Sequence, residues 1–119
     1  MTRLKNTLLL IYCMFAMQAY AQDTIASFKV AGNCEQCKAR IEAAAKAIKG
    51  IEQASWDEAL QVLKINYNGS PESLAAAENA ILAAGHDTEH RIADKKAYNK
   101  LPYCCKYDRF SYPTASKTA

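Results

Sequence analysis

The sequence of 119 residues has no internal repeat, no low-complexity tract and only one long apolar run, from Leu8 to Met17. The missing repeat excludes a solenoid or array. The single run is too short to span a bilayer, and with no second one behind it the product is expected to be soluble, without stable membrane insertion. Lys and Arg nowhere cluster with interleaved aromatics, which argues against a nucleic-acid partner. Between Lys38 and Tyr103 there is no cysteine. A small scaffold stapled by disulfides spreads its cysteines through its loops, so this chain must stand on an apolar core instead.

What is present begins with an address label. Arg3 and Lys5 precede the apolar run, and Ala19-Tyr20-Ala21 follows it as a small-x-small cleavage site, so residues 1–21 read as a signal peptide and the mature chain is expected to start at Gln22 in the periplasm or outside the cell. Cys13 lies behind the bulky Leu10-Ile11-Tyr12, where a lipoprotein signal carries a small residue, so lipid attachment is not expected. Losing the 21-residue leader leaves 98 residues, enough for one domain with one core. The leader takes two of 15 basic residues and none of 12 acidic ones, which leaves 13 against 12 and lowers the charge from +3 to +1.

The hydrophobic period then changes along the chain. From Thr24 to Ala31, Ala26, Phe28 and Val30 alternate with Ile25, Ser27 and Lys29, as a half-buried strand does. From Glu35 to Lys49, Ile41, Ala45 and Ile48 form one stripe, with Lys38, Glu42, Lys46 and Lys49 on the solvent side, and Gly50 stops the helix. Ile51–Trp56 and Leu60–Tyr67 read as a hairpin around Asp57-Glu58-Ala59. Ser70 caps a second helix that starts on Pro71 and buries Leu74, Ala77, Ile81 and Ala84. Gly85 ends it, and residues 86–92 can supply a last strand. The order predicts an α+β, ferredoxin-like βαββαβ sandwich over residues 22–93: an antiparallel four-stranded sheet, two helices on one face, and a tail over 94–119.

That order places Cys34-Glu35-Gln36-Cys37 between the first strand and the first helix. The N-H groups and dipole of a helix start favour thiolate over thiol there. Two thiolates turned to one point are a soft ligand set for Cu(I), or for another thiophilic ion such as Hg(II), and leave the ion open to a partner's thiols. Structural zinc would want a closed shell of four ligands. The motif alone also admits thiol-disulfide chemistry, with Cys34 as nucleophile and Cys37 as resolving thiol, or a structural disulfide. A thioredoxin-like order would require a further element before the motif and a proline opposite the cysteines. Pro71 is already used as a helix starter and Pro102 lies far along the tail.

The stretch Lys29-Val30-Ala31-Gly32-Asn33-Cys34-Glu35-Gln36-Cys37, then Ile41, and later Ala83-Ala84-Gly85-His86, resembles the heavy-metal-associated domain of copper chaperones, copper-ATPase amino-terminal modules and periplasmic mercury-binding proteins. The resemblance covers about residues 24 to 92. It implies a non-catalytic carrier in which Cys34 and Cys37 bind the ion and His86 sits beside it. Cu(I) leads, with Hg(II) or Zn(II) as further candidates. It implies delivery to a transporter or efflux component by thiol exchange, from a monomer or a metal-bridged dimer. Where the family usually carries a methionine packed beneath the metal loop, this chain has Gly32. Gly32 and Asn33 both tolerate positive φ, so a different loop path is expected.

The topology also brings His86 to the end of the sheet that holds Cys34, which makes His86 a candidate third ligand or a hydrogen-bonding neighbour that promotes release on protonation near pH 6 to 7, roughly its ordinary range. His90, between Glu89 and Arg91, reads as a solvated position. In the tail, Cys104 and Cys105 are adjacent, and a bond between neighbours closes a strained ring. Cross-linking to Cys34 or Cys37, a second soft site or relay, and an unstructured end all remain open. The last strand runs away from the metal loop, so the tail must return. The link from Ala93 can span about 35 Å extended but only about 16 Å as helix, against roughly 20 Å for a strand's length. Tyr98, Leu101, Tyr103 and Tyr107 are expected to pack the tail onto the domain, and Trp56 to serve the core or the sheet surface.

Overall fold

The computed structural model describes residues 2–16 and 24–109; the expected cleavage site at 19–21 and the tail end beyond Arg109 lie outside the described residues. The amino-terminal segment forms a helix, α1 (Thr2–Ala16), and no described helix is long and apolar enough to cross a membrane. The domain runs β1 (Thr24–Lys29), α2 (Glu35–Lys46), β2 (Ile51–Asp57), β3 (Val62–Tyr67) and α3 (Pro71–Ala83). Its tail carries a short α4 (Lys95–Asn99) and a 3-10 turn (Tyr103–Cys105).

Period and capping explain these elements. In β1, Phe28 turns inward between exposed Ser27 and Lys29, the alternation of a strand with one wet face. The Ser70 hydroxyl accepts from the Ser73 N-H at 3.4 Å, and Pro71 sits at the first helical position of α3. Gly50 and Gly85 follow their helices with φ of +96° and +101°, the left-handed exit that glycine takes without a Cβ penalty. Ile41, Ala45, Ala77 and Ile81 from the helices meet Phe28, Val30, Leu63 and Ile65 from the sheet in one buried cluster with Trp56.

The α+β, ferredoxin-like plan is present, with two corrections. Among the described residues the sheet has three strands, antiparallel, in the order β1-β3-β2. The expected fourth strand over 86–92 is reduced to a bridge between Val30 and Thr88. Its first residues do start an antiparallel ladder: the Ala31 N-H donates to Asp87 O and the Glu89 N-H to Lys29 O. The ladder stops because local bonds win. The Thr88 hydroxyl accepts from the His90 and Arg91 N-H groups, and the Thr88 N-H donates to Arg91 O. Side chains that bond nearby backbone in this way compete with sheet pairing. The second correction concerns the helices, which do not form a clear pair on one face: α2 packs along β2, and α3 packs chiefly on α2 and more lightly on β2.

Candidate metal centre

Cys34 is the N-cap of α2, with extended backbone (φ −157°, ψ 171°), and Cys37 lies in the first turn, fully buried. Their sulfurs are 3.4 Å apart. Burial pushes the Cys34 thiol up, but the backbone N-H groups of Cys37 and Gln36, with the thiols of Cys37 and Cys105, outweigh it and set Cys34 below the ordinary thiol range. That is the helix-start effect on a thiolate. Cys37 is displaced upward, first by burial and then by its Cys34 neighbour, and its sulfur lies 3.4 Å from Asn33 Oδ1. The pair is therefore unequal, the thiol at the rim being the more readily ionised of the two.

The loop that carries Cys34 and Cys37 is held by residues that periodicity does not single out. Trp56 is 1% exposed and donates its indole N-H to Val30 O at 2.9 Å. Its ring fills the space under Gly32, where an added Cβ would lie 2.9 Å from two ring carbons and 3.0 Å from the Cys37 Cβ. Gly32 thus supplies room for Trp56 rather than an unusual φ: neither it nor Asn33 has the positive φ on which a different loop path was expected. Gln61, at φ 54° in the hairpin turn, donates its amide to Gly32 O and accepts the Val30 N-H on its carbonyl. Glu42, expected on the solvent side, accepts the Trp56 N-H and pairs with Lys38, and its carboxyl is held below the usual range by these partners against the opposing effect of burial.

His86 is fully buried, with Nδ1 2.9 Å from Ala31 O, Nε2 without a hydrogen-bond partner, and the ring stacked on Tyr107 at 5.4 Å. Burial holds it below the ordinary histidine range, so it is a neutral imidazole behind the loop. The grouping of possible ligand atoms among the described residues consists of Cys34, Cys104 and Cys105, all within 4.8 Å of one another, and leaves out both His86 and Cys37, whose sulfur is nonetheless 3.4 Å from that of Cys34. His90 is solvent-exposed and reaches Glu78 at 3.1 Å.

The tail cysteines are brought to the same place. Cys105 is fully buried 3.5 Å from the Cys34 sulfur, and exposed Cys104 lies 4.0 Å from Cys105 and 3.0 Å from Gln36 Oε1. All four are free thiols. A latch fixes the tail. The Tyr107 hydroxyl donates to Gly85 O and accepts the Asp87 N-H, and Tyr98 donates to Tyr107 O. Arg109 pairs with the fully buried Asp87 at 2.6 Å and also reaches Ala93 O. Leu101 and Tyr107 are buried as expected, whereas Tyr103 is exposed.

The family model of the heavy-metal-associated domain matches residues 27–87. Among solved structures, a CopZ metallochaperone superposes with a TM-score of 0.51 at 24% identity, over 55% of this chain and 98% of its own. The amino-terminal domain of a potential copper-translocating P-type ATPase from Bacillus subtilis, in its Cu(I)-loaded state, gives 0.52 at 26% identity, over 56% and 85%. The amino-terminal domain of the zinc(II) ATPase ziaa, in its apo form, gives 0.50 at 22% identity, over 76% and 88%. Among curated proteins, none matches this chain in sequence.

Proposed function

The chain belongs to the heavy-metal-associated domain family, and from that membership we propose that it is an exported, non-catalytic carrier that takes one Cu(I) ion on Cys34 and Cys37 and passes it to a transporter or efflux component. The coarser part, a metal-binding, metallochaperone-like role, follows from the family and from its copper-handling structural neighbours. The choice of Cu(I) rests on chemistry. Close cysteine sulfurs with no carboxylate or imidazole grouped with them suit a soft monovalent ion, whereas Zn(II) asks for a complete tetrahedral shell. Zn(II) stays a candidate through the ziaa neighbour, and Hg(II) through softness alone.

The observation that carries the reading is the 3.4 Å approach of the two sulfurs at the start of α2, with Cys34 favoured as thiolate. A lowered thiol at a rim permits stepwise exchange, each metal-sulfur bond being replaced by one to the acceptor. The rival reading as a dithiol oxidoreductase is weaker, because Cys34 is in contact with two thiols rather than with one resolving partner. Native mass spectrometry of the fully reduced chain, titrated anaerobically with Cu(I), Zn(II) and Hg(II), should show one tightly held Cu(I), and the Cys34→Ser/Cys37→Ser variant should lose it. Failure of the wild type to keep any of the three ions against a modest chelator would overturn the assignment.

A further inference from the structure

Cys105 lies outside the segment matched to the family, yet its sulfur stands as close to Cys34 as that of Cys37 does, at 3.5 Å against 3.4 Å. Cys34 thus touches one sulfur of its own motif and one carried by the tail. This approach is built rather than incidental. The 3-10 turn is closed by the Cys105 N-H donating to Pro102 O at 2.8 Å and packs against α2. Leu101 before it is buried against Gly85, and Tyr107 after it is bonded to Gly85 and Asp87.

Taking the reading of Cys34 and Cys37 as ligands as the premise, we propose that Cys105 is the third ligand, so that Cu(I) is held in a trigonal site of three thiolates to which the tail contributes one. The spacing discriminates between two and three ligands. With a metal-sulfur bond of about 2.3 Å, thiolates around a trigonal ion stand about 4.0 Å apart, while two across a linear ion, even with a shorter bond, stand further apart, up to about 4.6 Å. Widening each contact of Cys34, at 3.4 and 3.5 Å, to the trigonal spacing needs less movement than widening it to the linear one. A linear ion would also leave the fully buried Cys105 sulfur beside a cation without bonding it. On binding, each thiol that is still protonated gives its proton to solvent as its sulfur-metal bond forms, and no electron is transferred. Exposed Cys104, within 4.8 Å of Cys34, is the group that can stand in when Cys105 is removed, so a test must remove it too.

X-ray absorption of the reduced full chain with one equivalent of Cu(I) should give three sulfur neighbours, and Cys104→Ser should leave that number unchanged. Cys104→Ser/Cys105→Ser should give two sulfurs, a shorter copper-sulfur distance and at least tenfold weaker retention against a bidentate Cu(I) chelator. Two sulfurs in the wild type would overturn the proposal without any variant having to fold. So would a double variant that keeps three sulfurs or wild-type retention. A wild type that binds no Cu(I) at all, or a Cys34→Ser/Cys37→Ser variant that binds as well as wild type, is instead the failure of the underlying reading.

Discussion

At the scale of single residues, the exchange of a family methionine for Gly32 is explained by one neighbour. The Trp56 ring occupies the space beneath the metal loop, 2.9 Å from where a Cβ at Gly32 would lie, so the two positions form one packing unit. Gly32→Met alone should destabilise by about 1–3 kcal/mol through overpacking, and Trp56→Ala alone by about 3–5 kcal/mol through the cavity it leaves. Urea unfolding of the double variant should show a loss clearly smaller than the sum, as coupled neighbours do. Strict additivity would mean that the two do not share the space. His86 carries a second residue-scale prediction. Its folded pKa is lowered by burial, so the unfolded chain binds the proton more readily and stability falls as pH drops below about 6.5, the ordinary histidine value, with a slope of at most about 1.4 kcal/mol per pH unit. His86→Asn should flatten that acid limb. An unchanged limb would assign it to the carboxylates, among which Glu42 is also displaced downward but titrates at lower pH.

At the scale of elements, Gly85 decides whether the tail can dock. An added Cβ would lie 2.7 Å from Ala97 O and 3.1 Å from Leu101, at a φ of +101° that side chains rarely adopt. Gly85→Ala should therefore push α4 away, cost about 1–3 kcal/mol, and raise the alkylation rate of Cys105, a buried thiol, while Cys104, already exposed, changes little. Alkylation of Cys105 at the wild-type rate would show that the tail docks without Gly85. Tyr107→Phe tests the same docking from the other side. It strands the buried Asp87 N-H, a loss of about 1–3 kcal/mol visible in thermal unfolding. The elements that were legible in the sequence are those with a period and a cap: β1, α2, the hairpin and α3. Residues 86–92 were not, because Thr88 satisfies backbone groups locally and Asp87 turns to Ala93 and Arg109, choices with no signature in hydrophobic spacing. The Cys34–Cys37 pair could be read from its motif. Convergence of Cys105 on Cys34 could not, since it depends on bonds from Tyr107 and Arg109 to a loop some twenty residues earlier.

For the whole molecule, the consequence of a ligand carried by the tail is that metal and tail docking share one free energy. An ion bound only to the docked arrangement stabilises it by mass action, about 4.1 kcal/mol at a thousandfold excess over Kd. The tail should then become more protected as the ion arrives. Hydrogen exchange at residues 95–109 of the reduced chain should slow on loading Cu(I), in step with the loop at 31–37. In Cys104→Ser/Cys105→Ser, loading should still protect the loop and leave the tail at its metal-free rate. The same coupling makes departure of the tail a step in handing the ion on. Transfer to an external dithiol should accordingly be faster from the double variant than from wild type, in proportion to the retention lost. Equal transfer rates, with loop and tail protected alike in both proteins, would mean that the tail closes over the site without holding the ion.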